Sequence, residues 1–139
     1  MKVFIYFIGK PRDEHAQALT EEYLKRTSRY ATCEIREVKP DRMDWLDRHN
    51  SAFKVFLDPA GKVMDSARFT TLIQRCEDEG REIIFLLGGH DGLTEAHRAR
   101  ADLLLSMSAM TWPHELARAM LAEQIYRAFA TLRGHPYPR

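Results

Sequence analysis

The run Ile83-Ile84-Phe85-Leu86-Leu87-Gly88-Gly89-His90-Asp91-Gly92 sets five uninterrupted apolar residues directly before a loop with three glycines in five positions. A short apolar run rich in branched and aromatic residues and closed by glycine reads as a buried strand ending in a turn. Strands apolar on both faces belong to parallel sheets covered by helical crossovers. The flanks supply such crossovers. Before the run, Phe69, Leu72, Ile73 and Cys76 recur at helical spacing between Ser66 and Glu79, with Gly80 at the C-terminal stop position. After it come a short helix around Glu95 to Ala101, a strand from Leu103 to Met107, and a long helix opening at Pro113.

The same alternation extends back to the start of the chain. Val3 to Ile8, closed by Gly9, Lys10 and Pro11, predicts a first buried strand. Asp13 to Tyr30 predicts a helix, with Ala16, Leu19, Tyr23 and the stem of Arg26 on its inward face. Thr32 to Val38 alternates imperfectly and predicts a strand near the sheet edge. Pro40 to Asn50 reads as a short connecting helix anchored by Met43 and Leu46, and Phe53 to Leu57 as a third buried strand stopped by Asp58, Pro59 and Gly61. Strands alternating with helices predict an α/β fold, a mostly parallel sheet with right-handed connections. At 139 residues, the expectation is a single domain over 1–139.

Composition narrows the function classes. Twenty-one Lys and Arg against 20 Asp and Glu leave a net charge of +1, so RNA contact requires a local patch or an oligomer rather than a bulk positive field. Cys33 and Cys76 form no C-x-x-C pair, which argues against a zinc ribbon, a dithiol redox site and a secreted disulfide scaffold, and fits a reducing cytoplasm. His90, His97, His114 and His135 lack the spacing of a metal motif, so no metal is expected. The longest apolar run, Val3 to Ile8, is far below the roughly 20 residues a bilayer span needs and too short for a signal peptide. A soluble, cytoplasmic protein with no membrane partner is the expectation.

In open parallel sheets ligands collect beyond the C-terminal strand ends. Three loops fall there: Leu57 to Gly61, Gly88 to Gly92, and Met107 to Trp112. The glycine loop is explained equally well as a tight turn or as backbone that a ligand approaches without a Cβ in the way. It lacks G-x-G-x-x-G spacing, which also belongs after the first strand, and the P-loop pattern is absent. Read structurally, Thr111 is a helix N-cap and Pro113 a first-turn proline. Read functionally, exposed N–H groups beside Met and Trp surfaces form a slot for a flat, partly apolar ligand such as an adenosine. There is no Ser-His-Asp or G-x-S-x-G signal, and Asp58 fails as a phosphoacceptor because no acidic pair follows the first strand and no lysine closes the fifth. Along the last helix Leu121, Ile125, Phe129 and Leu132 form a core stripe while Leu116 and Met120 point elsewhere, with Tyr126 between, so an intramolecular sandwich and a homodimer both fit. Arg127, Arg133, His135, Tyr137 and Arg139 make a basic and aromatic tail, either a solvated end or an RNA or phosphate contact.

Leu86-Leu87-Gly88-Gly89-His90-Asp91-Gly92-Leu93, Leu105-Ser106-Met107-Ser108-Ala109-Met110-Thr111-Trp112-Pro113-His114, Glu123-Gln124-Ile125-Tyr126-Arg127-Ala128 and Gly134-His135-Pro136-Tyr137 together resemble the ribosomal RNA large-subunit methyltransferase H family of the SPOUT superfamily. The likeness covers essentially the whole chain. It implies a C-terminal region threaded into a trefoil knot, a topology the general rule against threaded loops would reject. It further implies a homodimer that binds S-adenosylmethionine (SAM) in the knot and methylates N3 of a pseudouridine in a large-subunit ribosomal RNA hairpin of assembled ribosomes. The family's cofactor contacts map onto Leu57, Gly88, Met107, Ser108, Ala109, Met110, Thr111 and Trp112. Candidates for handling the N3 proton or its anion are His114, Arg133, His135, Tyr137 and Arg139. Where the family usually ends Tyr-His-Arg or Tyr-His-Lys, this chain has Tyr137-Pro138-Arg139, so no histidine role carries over at that position. A non-catalytic, ribosome-binding dimer and a nucleotide-binding regulator without RNA are the competing readings.

Overall fold

The computed structural model describes residues 1–137. Along β1 (Lys2–Ile8), Val3, Ile5 and Phe7 alternate with Phe4, Tyr6 and Ile8, so both faces of the strand carry apolar side chains and both need cover. The strand lies inside a parallel sheet with β2 (Thr32–Val38), β3 (Phe53–Val63), β4 (Ile83–Leu87) and β5 (Leu103–Ser106), in the order β2-β1-β4-β3-β5. β4 is buried at every residue. β2, with its imperfect alternation, is an edge strand whose side chains are exposed or half-buried, as expected.

On one face Val3, Ile5, Val55, Phe85 and Leu105 pack with Phe69, Leu72 and Ile73 of α2 (Ser66–Asp78) and Leu121, Ile125 and Phe129 of α4 (His114–Leu132). α1 (Glu14–Thr27) packs beside α4. Fully burying Phe85 or Phe129 contributes about 1.5–3 kcal/mol each. The other face is covered more thinly, by Leu46 of a 3₁₀ helix (Asp44–His49), Ala52 and Leu93, with α3 (Glu95–Arg100) beyond them. The expected short connecting helix over 40–50 is thus a six-residue 3₁₀ helix, about two turns long.

Three local expectations change. Leu19 is 44% exposed, and Ala16, Thr20 and Thr27 are the buried residues of α1. The two threonines fit inside because their hydroxyls donate to the Ala16 and Tyr23 carbonyls of their own helix, both at 2.8 Å, which satisfies the polar atom and turns the methyl inward. β3 does not stop at Asp58: it loops out and rejoins β5 at Lys62 and Val63. Pro113 (φ −56, ψ 139), not Thr111, occupies the N-cap of α4, and no side chain caps that end, because the proline ring carries no oxygen to accept a helix N–H.

Candidate active site

Leu57 of β3 stands in register with Leu87 of β4 on one side and Leu105 of β5 on the other. Three adjacent strand ends therefore stop at one level, and the loops leaving them surround a cleft of about 160 Å³. Leu57, Leu87 and Leu105 line it from the sheet, Gly88, Gly89 and Gly92 from one loop, and Met107, Ser108 and Met110 to Trp112 from another. His114 and Ala117 close it from the first turn of α4.

A Cβ on Gly88 would lie 2.6 Å from the carbonyl carbon of Gly92, and one on Gly89 would lie 2.9 Å from the Ile8 carbonyl oxygen. The loop folds back on itself through the Gly92 N–H, which donates to the Gly89 carbonyl at 3.0 Å, and Gly92 adopts a positive φ of 72°. The space reserved by the two glycines is thus filled by the chain's own backbone. On the opposite rim the Ser106 hydroxyl donates to the Ser108 carbonyl (2.8 Å) and the Met110 N–H donates to the Ser108 hydroxyl (2.9 Å). This turn leaves Met110 73% exposed at the mouth of the cleft, with Trp112 also exposed. Apolar walls, a polar backbone and one free-standing imidazole-bearing helix start suit an adenosine with a polar tail.

Of the residues singled out for the cofactor, Leu57, Gly88, Met107, Ser108, Met110, Thr111 and Trp112 line this cleft, while Ala109 is exposed and does not. His114 lines it too. Arg133 and His135 stand at the other end of α4, whose 19 residues place Arg133 about 28 Å from His114, while Tyr137 folds back along the helix to the level of Glu123 and Tyr126. Arg133 makes a bidentate ion pair with Glu77, at 3.0 and 2.6 Å. Its bond holds the Glu77 carboxyl below the usual range, against a smaller upward push from burial. The His135 Nδ1 accepts the Tyr137 N–H at 3.1 Å. The Tyr137 hydroxyl donates to Glu123, which is also gripped by Arg127, while Arg127 stands 5.5 Å over the Tyr137 ring and Tyr126 packs 4.8 Å from it. Burial and then the Glu123 bond push the Tyr137 phenol up. Arg139 and Pro138 lie outside the described residues.

Sequence reasoning missed two cations, Arg98 beside the cleft and Arg118 in a separate groove between α1 and β2. Arg98 pairs with Asp58, a cleft-lining residue 40 positions away. Arg118, one turn beyond His114, is 3% exposed with its guanidinium 3.6 Å over the Phe7 ring and its Nε unpartnered. Neither had a local signal: Arg98 sits at a half-exposed position of a short helix, and Arg118 is a charged residue that helical spacing alone gives no reason to place inside. Among the described residues no three His, Cys, Asp or Glu side chains assemble as a metal site.

Comparison with known proteins follows the same geometry. The family model described as predicted SPOUT methyltransferase matches residues 1–138. The chain is 63% identical over 139 residues to the ribosomal RNA large subunit methyltransferase H of Solibacter usitatus (strain Ellin6076), covering 100% of both chains. It is 43% identical over 144 residues to the protein of the same name from Zymomonas mobilis subsp. mobilis, covering 100% of this chain and 99% of that one. Among solved structures, the SpoU methyltransferase AviRb from Streptomyces viridochromogenes in complex with the cofactor AdoMet shares the fold at a TM-score of 0.51 and 15% identity, over 91% of this chain and 59% of that one.

Proposed function

This chain belongs to the SPOUT methyltransferase family, and on that premise we propose that it transfers a methyl group from SAM to N3 of a pseudouridine in a large-subunit ribosomal RNA hairpin of assembled ribosomes, in the cytoplasm and as a homodimer. The observation that carries the reading is the convergence of three neighbouring strand ends and their loops on one apolar cleft with His114 at its edge. The names of the full-length relatives support the ribosomal RNA substrate, and the AdoMet-bound neighbour supports the donor. The strand order, with β5 carried past β3 and α4 returning over the sheet, fits a threaded C-terminal region.

When bound, SAM supplies an activated methyl on a sulfonium sulfur. The chain's contribution is mainly positional: Leu57, Leu87, Leu105 and Trp112 exclude water and hold a flat group, and the backbone of the 88–92 and 107–112 loops fixes its polar edge. N3 of the base loses its proton as it attacks. His114 stands where it can accept that proton or donate to the anion. Arg133 and His135 stand at the far end of α4 from their own chain's cleft and Tyr137 is bonded to Glu123 midway along it, which supports presentation of these groups to the cleft of a second copy. The exposed Leu19 and Leu116, on the packed pair α1 and α4, support a second copy there, and Tyr126 is already covered by its own chain.

The test is methyl transfer from methyl-labelled SAM to assembled ribosomes lacking the modification, with sedimentation of the wild type at micromolar concentration. Transfer to pseudouridine N3 by a dimer is the expected result. SAM binding and ribosome binding without transfer would leave a binding module, and no ribosome binding at all would leave a nucleotide-binding regulator.

A further inference from the structure

Beyond Leu57 the third strand leaves the sheet. Leu57 and Lys62 both stand opposite Leu105, so the four residues between them, Asp58 to Gly61, loop out. The excursion returns so close to β5 that a Cβ on Gly61 would lie 2.6 Å from the Leu104 carbonyl. Asp58 and Pro59 from this excursion line the cleft. A bulge of this size has lost its ladder partners, and Asp58 replaces them: its Oδ1 accepts the Ala60 N–H at 2.8 Å and its Oδ2 accepts Arg98 Nε at 2.5 Å. The Asp58 side chain is 4% exposed against 34% for Arg98. Burial pushes the Asp58 carboxyl up, but the bonds from Arg98 and Ala60 outweigh it and hold the group below the usual range. The pair is therefore charged, and its hydrogen bond belongs to the strong, geometrically demanding kind.

Arg98 stands on α3, which begins immediately after the glycine loop. The start of α3 is fixed by Thr94 and His97, whose side chains and N–H groups bond reciprocally at 3.0 and 3.2 Å. One ion pair thus ties the β3 wall of the cleft to the element that anchors the β4 wall.

We propose that the Arg98–Asp58 pair is a positioning device for the methyl donor, setting the separation of the two walls that grip the adenosine; this rests on the reading above that the cleft takes SAM. Arg98 is not among the residues lining the cleft and acts through Asp58. Loosening the pair lets the excursion relax and weakens the grip, while the reacting groups at the His114 side keep their places. The predicted signature is a change in affinity separated from a change in turnover.

The experiment is calorimetric titration of SAM into wild type, Arg98→Ala, Arg98→Lys, Asp58→Asn and Glu95→Gln, each checked for folding by melting, together with steady-state methyl transfer to unmethylated ribosomes. Arg98→Ala is expected to raise Kd and KM for SAM about tenfold or more, with kcat at saturating SAM within about threefold, as fits loss of one charge-assisted contact outside the reacting centre. Arg98→Lys should fall between Ala and wild type, since it restores the charge but not the planar fork. Glu95→Gln removes only the exposed partner of Arg98 and should bind SAM as wild type does. Wild-type Kd in Arg98→Ala, or a fall in kcat with Kd unchanged, overturns the proposal. If Arg98→Ala fails to fold, Asp58→Asn decides, and a wild-type Kd there overturns it equally. A wild-type chain that binds no SAM overturns the cofactor reading itself, an outcome distinct from wild-type binding that the variants leave unchanged.

Discussion

At its first turn α4 sets His114 and Ala117 against an open cleft, next to a helix start that no side chain caps. At its last turn and in the tail, Arg133 is held by Glu77, Tyr137 by Glu123 and the backbone N–H of Tyr137 by His135. One helix therefore carries a site with unspent hydrogen-bonding capacity at one end and a tail whose named groups are already engaged at the other. The lesson is about distance and division of labour. About 28 Å separates His114 from Arg133, and Tyr137 folds back only as far as Glu123, so in the proposed dimer the tail of one protomer would serve the cleft of its partner, and the tail's own bonds would hold it in the presented shape.

The largest effect should come from blocking the open end. Gly88→Val drives a branched side chain into the Gly92 backbone, and overpacking strain of roughly 1–3 kcal/mol placed in the cleft wall corresponds to about a tenfold to hundredfold loss of SAM affinity. Calorimetry on the folded variant checks this, and unchanged affinity would show that the 88–92 loop is not part of the donor site.

The engaged end should give a smaller loss of a different kind. Tyr137→Phe removes a hydrogen bond to a carboxylate, a contact of about 1.5–3 kcal/mol, and methyl transfer to ribosomes should fall about tenfold while SAM affinity stays put. Mixing Gly88→Val protomers with Tyr137→Ala protomers sharpens the contrast. If the tail serves the partner's cleft, mixed dimers contain one cleft with both an intact wall and an intact tail, and activity should reappear; failure to recover activity in proven heterodimers would return the tail to its own chain.

The smallest effect concerns Arg133. Its pair with Glu77 is partly exposed, so Arg133→Ala should cost no more than about 1 kcal/mol. Because the folded-state pKa of Glu77 is depressed, the pair stabilises the chain above the unfolded carboxyl value of about 4.3, and the contribution disappears as pH falls through the lower folded value. Thermal melts between neutral and acid pH should converge for wild type and Arg133→Ala in that acid range. A gap that persists below it would mean that Arg133 supports the fold by packing on Phe129 rather than by charge.

What the sequence revealed and what it hid differ for a physical reason. That Leu57, Gly88 and the 107–112 stretch other than Ala109 would line one cleft was legible because strand ends are marked locally, by an apolar run meeting glycine or a proline-led helix, and the parallel topology forces those ends together. The resemblance named the same positions. The pairings that organise the rest, Arg133 with Glu77 and Arg98 with Asp58, join residues 56 and 40 positions apart and leave no periodic trace. Hydrophobicity alone does not place Leu19 inside, whereas Thr20 and Thr27 are buried because their hydroxyls bond within their own helix. The bulge after Leu57 was hidden by Asp58, Pro59 and Gly61, residues that usually end a strand and here divert it.

The position of β5 at the far side of β3 also shapes how the molecule comes into being. Its four residues cannot pair until the chain between β4 and β5 has passed β3, so the sheet closes through contacts distant in sequence, the kind that slow folding. Leu105 and the 107–112 stretch arrive with that strand, so a chain lacking it has no complete cleft to offer a ligand. A donor binding only the finished form, at a hundred times its Kd, adds about 2.7 kcal/mol to that form alone. In cells where SAM is plentiful, the methyl donor would therefore act as a thermodynamic lock on β5 and the cleft wall it carries.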